Sequence, residues 1–155
     1  MNVETQTLAH RFFSGHCFNG VWDLMDKPER TPQEDLQMEH MAHASLWHWL
    51  QREDHTATHL SVGYWQLSRV YACLKHPETS LRFANQCLDV SQTGAVESFY
   101  LGYAYEALAR SMAIAGQPEE ANSFLEQAQT HLQAVSDQGL HEALAKDLAE
   151  ILDLL

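Results

Sequence analysis

Residues 67–88, LSRVYACLKHPETSLRFANQCL, return in altered form at residues 108–129, LARSMAIAGQPEEANSFLEQAQ, a displacement of 41 positions. At this offset Leu67 matches Leu108, Arg69 matches Arg110, Ala72 matches Ala113, and the pairs Pro77/Pro118, Glu78/Glu119, Phe83/Phe124 and Gln86/Gln127 follow. Leu60/Leu101 and Tyr64/Tyr105 carry the register upstream. Agreement over so long a span marks a duplicated supersecondary unit rather than a single helix.

Each copy reads as two helices. Leu60, Tyr64, Leu67, Tyr71 and Leu74 fall at i, i+4, i+7, i+11 and i+14, one apolar stripe on a helical face. His76-Pro77-Glu78 and Gln117-Pro118-Glu119 end that helix and begin the next. Proline disfavours helical backbone in the residue before it but suits a first helical turn, where the glutamate meets the positive end of the helix dipole. The second helices are expected to reach about Val90 and Val135, with SQTGAVES (residues 91–98) as a long linker between the copies.

These hairpins resemble tetratricopeptide repeats over roughly half of the chain. In the register of that family the first helix carries Leu67, Ser68 and Tyr71, then Leu108, Ala109 and Met112. The second carries Ser80, Ala84 and Cys87, then Ala121, Leu125 and Ala128. The copies depart from the family in lacking Gly after the leucine, in placing Gln92 and Gln133 where a closing Pro is usual, and in a period longer than about 34 residues. AHASLWHW (42–49), WQLSRVY (65–71) and YEALARSMA (105–113) further resemble a group of small bacterial helical-repeat proteins, a likeness that implies a fold and no activity. The implied architecture is all-α: antiparallel hairpins stacked as a short solenoid of about seven helices in a single domain, 1–155. Its parts are an N-terminal hairpin (1–52), two repeats (57–91 and 95–135) and a capping helix (137–155).

The flanking segments fit this scheme. Thr31-Pro32-Gln33-Glu34 is a helix start with a capping box, leading a helix to about Gln51. Before it, residues 3–26 place Leu8, Phe12, Asn19 and Trp22 on one face, with Gly15 and Gly20 leaving a central break open. At the other end Leu140, Leu144, Leu148, Ile151 and Leu155 form an apolar stripe, capped by Ser136 or Asp137, that should cover the last repeat.

Composition narrows the function. Nine Lys and Arg against 21 Asp and Glu give a formal charge of −12, so nucleic acid and anionic membrane surfaces are disfavoured partners. The opening MNVETQTLAHRFFSGHCF lacks a basic start followed by an apolar run, and no segment approaches the ~20 apolar residues of a membrane span. Cys17, Cys73 and Cys87 form no CxxC pair. A cytoplasmic protein with reduced thiols is expected.

Two constellations could carry a function. In the repeat register Trp65, Arg69 and Cys73 of the first copy and Glu106, Arg110 and Ile114 of the second face a concave groove, with Val62 and Tyr103 beside them. The two guanidinium forks could clamp an acidic group, with Trp65 stacking one turn away, or could instead bridge to Glu106 within the fold. This points to a non-catalytic module for binding a protein or peptide through Trp65, Arg69, Tyr103, Glu106 and Arg110, without a cofactor. The alternative is a divalent-metal or small-molecule site. His40 and His43 share a helical stripe with Leu36, Trp47 and Leu50, and packing of that stripe on the Asn19 face would gather Asn19, His40 and His43, with His48 an optional further ligand. A distant likeness to helical metal-dependent hydrolases favours that arrangement, although no HExxH signature occurs. The plainer expectation is that these imidazoles fill the core with their nitrogens satisfied. A homo-oligomer pairing exposed helical faces is a third reading.

Overall fold

A computed structural model of the chain describes residues 2–155. Seven helices follow in order: α1 (Val3–Met25), α2 (Pro32–Leu50), α3 (Ala57–Cys73), α4 (Pro77–Thr93), α5 (Ser98–Ile114), α6 (Pro118–Leu132) and α7 (Gln138–Leu152). No strand occurs among the described residues, and no helix is long and apolar enough to cross a membrane.

Local chemistry sets the helix starts. Thr31 Oγ1 accepts from the Glu34 amide and Glu34 accepts from the Thr31 amide at 2.8 Å, the capping box legible in the sequence. Thr56 makes the same reciprocal cap with an imidazole in place of the carboxylate, His59 Nδ1 accepting from the Thr56 amide at 3.0 Å. Asp137, rather than Ser136, caps α7 by accepting from the Leu140 amide at 2.9 Å. Pro77 and Pro118 open α4 and α6, and the residues before them have nearly the same backbone, φ −109 and ψ 77 at His76 against φ −113 and ψ 74 at Gln117.

The duplication extends to the turns. Lys75 (φ 62) and Gly116 (φ 73) stand 41 positions apart in the left-handed region. The next amide in each copy reaches back to the preceding helix, His76 to Tyr71 O and Gln117 to Met112 O, both at 2.9 Å. The turn closes the carbonyl ends of both first helices, with glycine in one copy and lysine in the other.

Consecutive helices pack on one another, and α3, α5 and α7 also lie side by side, so they form one layer, against which α4 and α6 pack. Small side chains let the helices approach. Ser80 on α4 lies 2.7 Å from Ser111 Oγ on α5 and donates to Ser68 O on α3 at 2.9 Å, beside the buried Ala84, Ala107 and Leu108. Leu144, Leu148 and Ile151 of α7 are fully buried against Ala109, Ala113, Ala121 and Leu125, so α7 caps the second repeat as its stripe predicts. Leu140 and Leu155, the ends of that stripe, remain exposed.

Three expectations are corrected. First, α4 continues to Thr93 and α6 stops at Leu132. Ser91 is buried within α4, its Oγ 2.7 Å from Ser61 Oγ, so half of the supposed linker is helix and the longer period resides partly in α4. Second, Gly15 and Gly20 do not break α1, and at Gly20 an added Cβ would collide with the end of the Met41 side chain. Third, the N-terminal hairpin packs through other residues. Its buried faces are His10, Ser14, Cys17 and Val21 on α1 and Met38, Ala42, Ser45 and Leu46 on α2. Leu8, Phe12, Asn19, Leu36, Trp47 and Leu50 are exposed, and Trp22 is half-buried against Trp65 of α3. The small residues bring the backbones together, as Ser45 Oγ donating to Ser14 O at 2.8 Å records. A seam of Leu, Phe and Trp would hold the helices further apart.

Because the left-handed turn carries a side chain in only one copy, Lys75→Gly is expected to stabilise the protein by about 1 kcal/mol, and Gly116→Ala to destabilise it by about the same. Urea unfolding of the two variants checks both signs.

Candidate functional site

The five groove residues expected from the repeat register do converge, around a carboxylate. Glu106 lies in the middle of α5 with no exposed surface. Its Oε1 accepts from Arg69 Nη1 on α3 at 3.0 Å and from Arg110 Nε, one turn along α5, at 2.6 Å. Its Oε2 accepts from Trp65 Nε1 at 2.9 Å. Trp65 and Glu106 occupy equivalent positions of the two copies, as do Arg69 and Arg110, so the repeat itself aligns the donors of α3 with the acceptor of α5. Tyr103, one turn before Glu106, packs edge-on against Trp65 with ring centres 5.0 Å apart.

Two further residues complete the network, and both come from α7. Arg69 Nη2 contacts Glu150 Oε2 at 3.3 Å and Asp147 Oδ1 at 3.7 Å. Arg110 Nη2 donates to Asp147 O at 3.2 Å and lies 3.6 Å from Glu150 Oε2, while Tyr103 donates its hydroxyl to Asp147 Oδ2 at 2.9 Å. Reading α7 only as an apolar cap passes over these acids. The available signal is that Asp147 stands 41 positions beyond Glu106, so α7 takes the place of a third first helix. Burial raises the Asp147 carboxyl above its ordinary range against the lowering pull of Arg69, and burial with the Asp147 charge raises the Tyr103 hydroxyl.

A cavity opens on either side of this network. One, of about 180 Å³, is almost wholly apolar and is lined by Val62, Trp65, Phe99, Tyr100 and Tyr103. The other, of about 300 Å³, has Arg69, Lys75 and Arg110 in its wall with Asp26 its one acid, together with the apolar bodies of Trp22 and Ile114. Cys73 lines this second cleft with Arg30 Nη2 2.9 Å from its sulfur. All three cysteines are free, and burial pushes the Cys87 thiol up to about 12.

The four residues of the alternative metal site have separate surroundings. Asn19 and His40 are exposed on the outer surface of the N-terminal hairpin. His43 Nε2 lies 2.9 Å from Tyr71 OH, with its ring edge-on to Tyr71 and Phe83, and Tyr71 in turn donates to Glu39 at 2.7 Å. His48 Nδ1 lies 2.9 Å from His10 Nδ1, and the two rings pack beside Trp47. The expected cluster depended on packing the Asn19 face against the His40 face, and both of those faces point outward instead. Among the described residues no group of three or more His, Cys, Asp or Glu is arranged to hold a metal ion.

Glu106→Gln leaves two guanidinium groups without their buried counter-ion and should cost about 3–5 kcal/mol. Glu150→Gln, at the exposed rim, should cost no more than about 1 kcal/mol. Denaturant unfolding of both variants tests whether Glu106 is the centre of the network. Burial lowers the His43, His48 and His59 imidazoles below their ordinary value. The unfolded chain therefore binds more protons as pH falls through about 6.5, and stability present above that value is lost below it. Thermal midpoints should fall from pH 7 to pH 5, less steeply in His43→Gln. No family model, curated protein or solved structure matches the chain.

Proposed function

We propose that the chain is a non-catalytic interaction module that takes an extended, acidic peptide segment of another protein along its layer of first helices. The observation that carries this reading is the pairing of an apolar pocket with a cation-walled cleft on either side of one fixed network. In a chain of formal charge −12, three of nine cationic side chains sit in that single cleft. Glu106, Asp147 and Glu150 engage two nitrogens of each guanidinium, and among the described residues Arg69 Nε and Arg110 Nη1 remain without a hydrogen-bond partner. Lys75 is exposed at the cleft wall.

The two ends suit different parts of one ligand. An aromatic or branched side chain would enter between Trp65, Phe99 and Tyr103, and a carboxylate would lie against Lys75 and the outward edges of the arginines. Val62 and Ala72, which mark the two cavities on α3, are ten residues apart, or about 15 Å of helix. An extended peptide covers that distance in about four or five residues. The likeness of the repeats to tetratricopeptide repeats supports the same reading, since stacked repeats commonly bind on the surface their helices share.

Panning a display library of random twelve-residue peptides tests this. Enriched sequences should pair an apolar residue with an acid about four or five positions away. Val62→Glu and Lys75→Glu, both at accessible positions, should each weaken binding of those peptides at least about tenfold. Absence of enrichment, or peptides whose binding neither substitution alters, would refute the reading.

A further inference from the structure

We propose that the open end of the helical stack, the outer face of the α1–α2 hairpin, is where a second copy of this chain docks about a twofold axis. The stack is asymmetric: α7 packs on its last repeat, and among the described residues the first hairpin packs only on α3. With the buried faces of both helices turned inward, Phe12 and Phe13 of α1 and Leu36 and Trp47 of α2 are left 60%, 41%, 51% and 54% exposed.

Ring contacts join Phe12, Phe13 and Trp47 into one surface. Phe12 stacks on His16 at 5.1 Å, Phe13 stacks on His48 at 5.4 Å, and Trp47 packs against His10 at 5.3 Å. Beside them Leu36, His40, Met41 and Ala44 form a shallow apolar trough. With aromatic side chains of about 150–250 Å² each, the four exposed residues present on the order of 400 Å² of apolar area. A stable homodimer buries roughly 800 Å² per partner, about two-thirds of it apolar, so this patch supplies most of the apolar part.

Charge selects a second copy as the occupant. Two chains of formal charge −12 repel unless they meet where neither presents an acid. The outward positions of α2 and its C-cap are such a place: Gln33, Gln37 and the capping Gln51 continue the stripe of Leu36, His40, Ala44 and Trp47 without one charged residue. Glutamine amides donate and accept alike, so they can pair across a symmetry axis in either role. A patch that meets its own copy about a twofold axis is used up on both chains, so the contact yields a closed dimer rather than a filament.

Sedimentation velocity on the full chain, from about 1 to about 200 μM, tests the proposal. The expected result is a concentration-dependent rise in mass from 17.6 kDa toward twice that value. Trp47→Glu and Phe12→Glu, both at exposed positions, should each weaken self-association at least about tenfold with an unchanged helical circular dichroism spectrum. Leu155→Glu, exposed at the opposite end of the chain, should leave it unaltered. A wild-type chain that stays monomeric across the range would overturn the proposal. Dimers that survive both α1–α2 substitutions, or that are lost in Leu155→Glu, would overturn it as well.

Discussion

A single buried carboxylate ties together the layer of first helices. Glu106 receives hydrogen bonds from Trp65 and Arg69 of α3 and from Arg110 of its own helix, and the two arginines extend to Asp147 and Glu150 of α7. Removing an ionised carboxylate from water costs several kcal/mol, and the cost is offset only when charged donors approach it in good geometry. The network therefore sets the relative positions of α3, α5 and α7 more narrowly than apolar packing would, since apolar contacts tolerate sliding and a triply donated carboxylate does not.

Around that network the fold relies on small residues. Buried serines that bond to one another or to backbone, Ser80 to Ser111 and Ser61 to Ser91, stand where helices cross, and alanines fill the remaining contacts. Close approach leaves little internal space beside the network, so the two cavities that flank Trp65 and the arginines open at the surface of the first-helix layer. The same device operates in the N-terminal hairpin, where Ser14 and Ser45 meet in the seam beside Met38 and Leu46, while Phe12, Leu36 and Trp47 turn outward. On our reading the two exposed surfaces have different occupants, a peptide along the first helices and a second copy at the open end, and each could be engaged without the other.

Much of the architecture was legible from one stretch of sequence. The 41-residue displacement, the paired prolines and the 3.6-residue periodicity determined hairpins, helix starts and the capping role of α7, because these depend on local backbone preference and on which face of a helix is apolar. The identity of the central residues was legible too. Trp65, Arg69, Glu106 and Arg110 occupy equivalent repeat positions, and equivalence in sequence became adjacency in space.

Tertiary structure alone decided which faces met. The stripes Leu8–Phe12 and Leu36–Trp47 are present as read, yet a helix with two usable faces can bury either, and the choice fell to Ser14, Cys17, Ala42 and Ser45 because they permit the shorter distance between axes. The same choice separated Asn19 and His40 from His43 and His48 and dissolved the imagined histidine cluster. It also decided the state of the arginines: periodicity placed Arg69 and Arg110 on one surface, but only the docking of α7 brought Asp147 and Glu150 to them. Apolar periodicity specifies that a face is to be buried, whereas its partner depends on shape and on satisfying every buried charge, which are properties of the assembled chain.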